Sequence, residues 1–415
     1  MIRRPLHGWL LADAISLTGT RISMIAIPWF VLTTTGSAAQ TGLVAAVEVA
    51  PLVLFKALGG PVVDRLGARR VAVGCDALSF PVVAAIPLLH HLGMLTFPLL
   101  LALVAVAGGL RGPGHGAKGA LVPAIVAEAH VPLERATGLH GAVERAASML
   151  GVAAAGGLVA WVSAANALYV DAASFAVSAL VLLVSTASLP RVTPEARDPA
   201  PYLVQLRAGW DYLRHDAVLL GMALMVATTN LLDLAWSAVL MPVWARETGA
   251  GVAAIGLLFA VWSGASALSA LAAAKWGHRI PRFATYVVAF LVTGLPRFVA
   301  LALGAPLWLL VGIFAVGGFA SGFLNPILGA VNYERIPPHL VGRVTSLGTA
   351  LCWSLMPFGG LLGGLLVTGV GLNAALLVVG VAYLLATLTP LVVPSFREFD
   401  RRPEPVNDRS ASPAR

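Results

Sequence analysis

Long apolar runs recur from one end of the chain to the other, each about 18–25 residues, the length that crosses a bilayer as a helix. About twelve can be marked off, at roughly 8–33, 41–63, 71–90, 97–117, 138–160, 166–188, 216–240, 252–274, 284–304, 306–329, 344–367 and 372–393. The longest break, from Leu189 to about His215, divides them six and six. It opens as the Pro- and charge-rich "LPRVTPEARDPAP" and continues as "YLVQLRAGWDYLRHD". There Leu203, Leu206, Trp210 and Leu213 recur at helical spacing against Arg207, Asp211 and Arg214, which predicts an amphipathic helix at the membrane interface with a packing or anchoring role. The expected organisation is an all-α membrane protein with a six-helix half over 1–188 and a linker carrying the amphipathic helix over 189–215. A second six-helix half covers 216–395, and a short polar, disordered tail covers 396–415. Arg3-Arg4 before an apolar run resembles a signal peptide. The run is too long and has no clear small-residue cleavage site, so it is expected to stay as the first helix.

Composition agrees with lipid as the solvent. The chain has 415 residues, 58% hydrophobic and 11% charged, against about 25% charged in an ordinary soluble domain. The net charge of +8 raises the question of nucleic acid, and its distribution answers it. Arg3-Arg4, Arg65, Arg69-Arg70, Lys118, Arg135, the Arg191–Arg214 segment, Lys275, Arg279, Arg282, Arg335, Arg343 and the tail arginines all fall on one side of the expected spans. Only Arg246 falls on the other. By the positive-inside rule both termini are cytoplasmic, in a cell (plasma or inner) membrane, and no nucleic-acid partner is expected. Cys75 and Cys352 are far apart, and the nine histidines form no ligand-spaced group. No metal site, cofactor or enzyme nucleophile is expected.

The two halves echo each other. "PLERATGL" and "PHLVGRVTSL" each open a span, with Arg135/Thr137 answered by Arg343/Thr345 half a chain later. Downstream of them lie the glycine pairs Gly156-Gly157 and Gly363-Gly364. "DRLGARR" is answered by "AKWGHRI", in which Ala274 stands where the first half has Asp64. Repeats of half the chain length are a transporter signature, with the binding site expected between the halves near the midplane.

The stretch "GPVVDRLGARR" resembles the loop between the second and third helices of the major facilitator superfamily, on Gly60, Asp64, Arg65, Gly67, Arg69 and Arg70. "IAIPWFVLTTTGSAAQTGLVAA", "DAASFAVSAL" and "ERIPPHLVGRVTSL" look like its drug-efflux branch, with macrolide and enterobactin exporters. The likeness runs over essentially the whole chain and implies twelve transmembrane helices in two pseudo-symmetric halves. It also implies that the loop cluster latches the cytoplasmic side when the cavity faces outward. Gly67 would allow the sharp turn, and Asp64 would pair with arginines and face a helix N-terminus of the other half. The plainer alternative is that the arginines only fix topology. In span five, antiporters of the family carry a G-P-x-x-G-G-like pattern. Here Gly151, Gly156 and Gly157 are present, but Val152 stands in place of the proline, and close helix packing explains the glycines equally well.

Ionisable groups at mid-membrane cost about 2.5–3.5 kcal/mol each on insertion scales, so those that persist mark function. Arg21, Glu48 and Asp233 lie at overlapping depths, about 10–18 Å from the outer surface at 1.5 Å per residue. Glu48 is the first candidate proton carrier, Arg21 its expected partner and Asp233 the second candidate. A structural Arg–Glu pair between helices is the alternative. Arg111 sits where proton-coupled members of the resembled superfamily carry an arginine in span four. Asp13, Asp76 and Glu144 read as snorkelling or capping groups, Asp171 as structural, and Arg297 receives no role. Trp161, Trp244, Trp276 and Trp308 lie near span ends as interface anchors. The deeper Trp29, Trp236, Trp262 and Trp353 are the candidate pocket aromatics.

The sequence thus predicts a monomeric, proton-coupled exporter of a hydrophobic or amphiphilic small molecule, with the lipid bilayer, the substrate and protons as partners. A lipid or lysolipid flippase or a solute importer of the same fold is the alternative within transport. A non-transporting sensor is the alternative outside it.

Overall fold

The apolar runs become helices. In a computed structural model of the chain, residues 4–189, 202–276, 280–337, 340–394, Phe396 and Phe399 are described, and they are helical with short connections. Twelve helices are long and apolar enough to span a membrane. In the first half these are span one (Arg4–Thr35), two (Ala38–Lys56), three (Ala68–His91), four (Phe97–Ala129), five (Gly138–Val162) and six (Ala164–Ser185). In the second half they are span seven (Ala217–Glu247), eight (Gly251–Ala273), nine (Arg282–Ala302), ten (Leu307–Asn332), eleven (Arg343–Val370) and twelve (Leu372–Val392). Their even number leaves Arg4 of span one and Val392 of span twelve on one side.

Local chemistry sets the helix starts. Ser37, Thr96 and Ser163 each accept a backbone N–H from three residues on, and Asp216 accepts from Val218 and Leu219 at 3.0 Å, so spans two, four, six and seven begin at side-chain caps. Gly67, at φ +87°, makes the turn between the short helix Gly60–Leu66 and span three, as its place in the loop motif predicts. Spans four, ten and eleven are each interrupted by a turn, at Leu121, Gly322-Phe323 and Leu355, and spans seven and nine are irregular as well. Span seven passes through a π-helical turn at Trp236–Leu240, and span nine breaks at Gly294, ahead of Pro296.

The expected interfacial helix is Tyr202–His215, and it docks on the second half. Leu213 is buried against Val344, Leu340 and Leu347. The Tyr212 hydroxyl donates to the Arg335 carbonyl, while Arg335 Nε donates to Asp216 at 2.9 Å. Burial, together with the nearby Asp216 carboxylate, pushes the Tyr212 hydroxyl up and keeps it a donor. The side chains of Leu203 and Leu206 lie outside the described residues. Phe396 packs on Gly221, and Phe399 on Tyr286 with ring centres 5.0 Å apart, so the packed part of the chain runs beyond residue 395, where a disordered tail was expected to begin.

Glycines bring the two halves together on the side away from the termini. A Cβ on Gly42 would fall 2.1 Å from the Gly360 carbonyl, and one on Gly364 2.8 Å from that of Ala38, so spans two and eleven touch backbone to backbone. Gly156 and Gly256 do the same for spans five and eight, a Cβ on either falling 2.6 Å from the other's Cα. Arg246 closes the rim by donating to the Leu32 carbonyl at 3.3 Å. The seam between spans five and eight runs inward as far as Met149 over Gly264, 3.8 Å from an added Cβ. Nearer the termini, Gly138 and Gly141 of the span-five helix and Gly348 of span eleven face open space, and Glu144 and Arg145 are exposed. Among the described residues the halves therefore pack most closely on the side away from the termini and more openly toward the termini. Gly157, expected among the packing glycines, has nothing within 4 Å of an added Cβ, whereas Gly151 packs on Arg21 and Thr18, and Gly363 on Ala235.

Candidate functional site

The seam positions the buried charges. Glu48 lies less than two turns below Gly42 on span two. There span four comes so close that a Cβ on Gly108 would sit 2.1 Å from the Glu48 carbonyl. That approach lets Arg111, one turn on, reach across. Its Nη1 lies 2.5 Å from Glu48 Oε1 and its Nη2 3.4 Å from Asp171 Oδ2 on span six. Ser23 of span one donates to the same Asp171 oxygen. Asp171 is wholly buried, the Arg111 side chain is 4% exposed and that of Glu48 13% exposed, so the cluster opens only at Glu48. Arg111 Nε has no hydrogen-bond partner among the described residues.

This corrects one expectation and completes another. Arg21 does not pair with Glu48. Its Nε donates to Ser148 Oγ of span five at 3.1 Å, and its Nη1 lies 3.2 Å from Met24 Sδ. The difference is one of helix face: Gly151 packs directly on the Arg21 Cβ, which turns that arginine toward span five. Glu48 is held by Arg111. Asp171, read as structural from the sequence, is the second carboxylate on the same guanidinium.

A second cluster lies in the other half. Asp233 of span seven pairs with Arg297 of span nine, a residue to which no role was assigned from the sequence. The Arg297 guanidinium carbon lies 4.2 Å from the Trp236 ring centre, 4.7 Å from Phe298 and 5.2 Å from both Trp262 and Tyr383. Arginine is weakly hydrated and stacks well on rings, which makes this burial tolerable. Arg297 is 3% exposed, but the Asp233 side chain is 40% exposed, one turn before span seven reaches spans one and two. The π-helical turn and the break in span nine flank this pair. Arg297 was missed because the proline beside it draws attention to a kink, and the acid facing it is 64 residues away.

The other candidates fall out as follows. Trp236 is buried edge-on against Phe259, and Trp262 and Trp29 are half-buried. Trp353 lies under the Lys56 ammonium, 3.8 Å from its ring centre, so Lys56 points across the seam. Trp161 and Trp308 are exposed, as anchors are expected to be. Trp244 is buried at 4%, which overturns an anchoring role, and the side chain of Trp276 lies outside the described residues. Asp13 and Asp76 are each 4% exposed, interior groups rather than snorkelling ones. In the loop motif Arg65 and Arg70 are exposed, and Arg69 holds Thr186 Oγ1 at 3.0 Å and the Leu183 carbonyl at 2.8 Å. Gly60, Asp64, Ala274 and Lys275 lie in helices, and the side chains of Asp64, Ala274 and Lys275 lie outside the described residues.

Twelve spans in two halves, shut on one side around buried charge, meet a direct match to the family model described as Major Facilitator Superfamily, over residues 9–236 and 223–415. The chain belongs to the major facilitator superfamily. It is 30% identical to the multidrug efflux pump Tap of Mycobacterium tuberculosis, over 99% of each chain. It is 28% identical to the enterobactin exporter EntS of Shigella boydii, over 95% of this chain and 93% of that one. Among solved structures, the nucleoside transporter NupG superposes with TM-score 0.72 at 16% identity, over 95% of this chain and 99% of that one. A bacterial homologue of the iron transporter ferroportin, solved in an inward-facing state, superposes with the same TM-score, 0.72, at 16% identity, over 96% and 99%. These two show the fold alone. The protein is a multi-pass membrane transporter of this superfamily with twelve spans.

Proposed function

We propose that the protein is a proton-coupled exporter of hydrophobic or amphiphilic small molecules. It works by alternating access as a monomer in the cell membrane, with both termini in the cytoplasm. The observation that carries this reading is the Glu48–Arg111–Asp171 cluster. Burying three charges is a poor way to hold helices together, because the desolvation cost rivals the attraction between them. A group of two carboxylates on one guanidinium, open to the cavity at one carboxylate, is suited to taking up and releasing a proton. Glu48 is the exchanging acid and Arg111 its counter-charge. Asp233, with Trp236 and Trp262 behind it, offers the substrate a partly open carboxylate beside aromatic surface. The names of the relatives, a multidrug efflux pump and an enterobactin exporter, support export.

The loop cluster around Asp64 acts as a latch in this reading, engaged when the cavity faces outward. The test is purified protein in liposomes with an imposed pH gradient, offered lipophilic cations, macrolides and siderophores in turn. Movement of at least one class against its gradient, reversed when the pH gradient is reversed, is the expected result. Downhill movement alone, indifferent to the gradient, would contradict the coupling.

A further inference from the structure

Span four carries its two buried cations, Arg111 and Lys118, seven residues apart, close to two full helical turns, so both point from one face. The same interval separates Ser16 from Ser23 on span one and Asp171 from Ser178 on span six. The three helices therefore meet twice, at levels about 10.5 Å apart at 1.5 Å per residue. The level farther from the termini is the Glu48–Arg111–Asp171 cluster with Ser23. At the nearer level Lys118 Nζ lies 2.9 Å from Asp76 Oδ2 and donates to Ser16 Oγ at 2.7 Å and Ser178 Oγ at 3.5 Å. Ser178 donates to the same Asp76 oxygen at 2.6 Å.

Asp13, on span one, extends this second level toward water. Its Oδ2 lies 3.3 Å from His140 Nδ1 on the span-five helix, with no hydrogen bond aligned between them. The His140 side chain is 34% exposed, and its ring stacks on Trp9 at 4.7 Å. Trp9 Nε1 in turn donates to the Lys118 carbonyl at 3.1 Å. Lys118, Glu144 and Asp76 are the other charged groups near enough to act on Asp13, and Glu144 also acts on Arg21 and Lys56. Between the levels Ser174 donates to the Asp171 carbonyl at 2.7 Å, one turn from Ser178. Gly19 packs so tightly there that a Cβ would fall 2.0 Å from Ser174 Oγ.

The charges count alike at both levels. Arg111 pairs with Glu48 and Asp171. Lys118 pairs with Asp76, and the buried Asp13 lies beyond it against His140, so each level holds one permanent cation and two carboxylates. A low-dielectric interior does not leave such an excess uncompensated, and a proton is what balances it. We propose that the Lys118–Asp76–Asp13–His140 level is a second proton station. A proton held at the Glu48–Arg111–Asp171 level passes along the inner face of span six and leaves toward the termini through His140, apart from the substrate cavity. The inference rests on the proton-coupled reading above. Each step moves one H⁺ from an acid or hydroxyl to the next acceptor, and every group returns to its starting state, so no other reactant is consumed.

The Trp9–His140 stack supplies an optical test, because a protonated imidazole quenches an indole stacked on it. The full-length protein in liposomes is titrated by tryptophan emission, with Trp9→Phe defining the background of the other indoles. The Trp9 signal is expected to fall on acidification and to stay flat in His140→Gln. The response should also change in Asp13→Asn, which removes the carboxylate 3.3 Å from the His140 ring. A Trp9 signal that does not titrate would overturn the station. Proton release after a pH jump, followed with a trapped pH dye, should slow several-fold in Ser174→Ala, which removes the hydroxyl between the levels; an unchanged rate would overturn the route. The titration needs no substrate, so it stands apart from the transport assay on Glu48→Gln that tests the coupling reading.

Discussion

Arg111 holds two carboxylates with two different nitrogens, and that geometry makes its replacement informative. Removing one partner of a buried ion group costs about 3–5 kcal/mol, because the remaining charge is stranded. Arg111→Met is therefore expected to lower thermal stability in detergent markedly, and a melting temperature equal to wild type would contradict the burial argument. Arg111→Lys keeps the charge but cannot reach both acids, so it should fold and still lose coupled transport. A fully coupled Arg111→Lys would mean that one contact suffices. Residue by residue, the sequence revealed which groups were out of place in lipid, namely Glu48, Arg111, Asp233 and Arg21. It did not reveal who pairs with whom. Depth along a helix can be counted from the chain, but the face a side chain takes is decided by glycines on neighbouring helices. Gly151 turns Arg21 toward span five, and Gly108 brings Arg111 to Glu48.

At the scale of helices, the outer seam rests on backbone contact. A Cβ on Gly156 would fall 2.6 Å from the Gly256 Cα, so Gly156→Leu has to push spans five and eight apart. Spin labels at Ser37 and Gly371, measured by double electron–electron resonance with Cys75 and Cys352 replaced by Ser, should report a longer and broader distance in this variant. An unchanged distance would show that the seam yields elsewhere. The loop motif belongs to the same scale. Asp64→Asn should slow transport several-fold while leaving substrate affinity near wild type, as expected of a group that acts on switching rather than binding. Equal transport would reduce the cluster to a topology signal. The spans themselves were legible from hydropathy because lipid forces every backbone group into a helix. The π-helical turn at Trp236–Leu240 and the break at Gly294 were not, since both depend on packing across helices rather than on local pattern.

For the whole molecule, the described residues of the two halves pack most closely on the side away from the termini, which in the orientation proposed above leaves the cavity facing the cytoplasm. Cysteines introduced near Ser37, Ala164 and Gly371 should react with an impermeant reagent added outside intact cells, and one at Ala68 should not; the reverse pattern would invert the topology and with it the direction of transport. Six-and-six architecture was readable from the linker and from motifs repeated half a chain apart. The state of the cavity was not, because one sequence serves both states of an alternating-access cycle. The coupling proposed above is what would make this architecture a pump. The measurement that tests it most directly is substrate accumulation in liposomes driven by a pH jump, wild type beside Glu48→Gln. Wild type is expected to concentrate substrate, whereas Glu48→Gln binds it and only equilibrates it. Accumulation by Glu48→Gln against a gradient, with the wild-type number of protons moved per substrate, would contradict it.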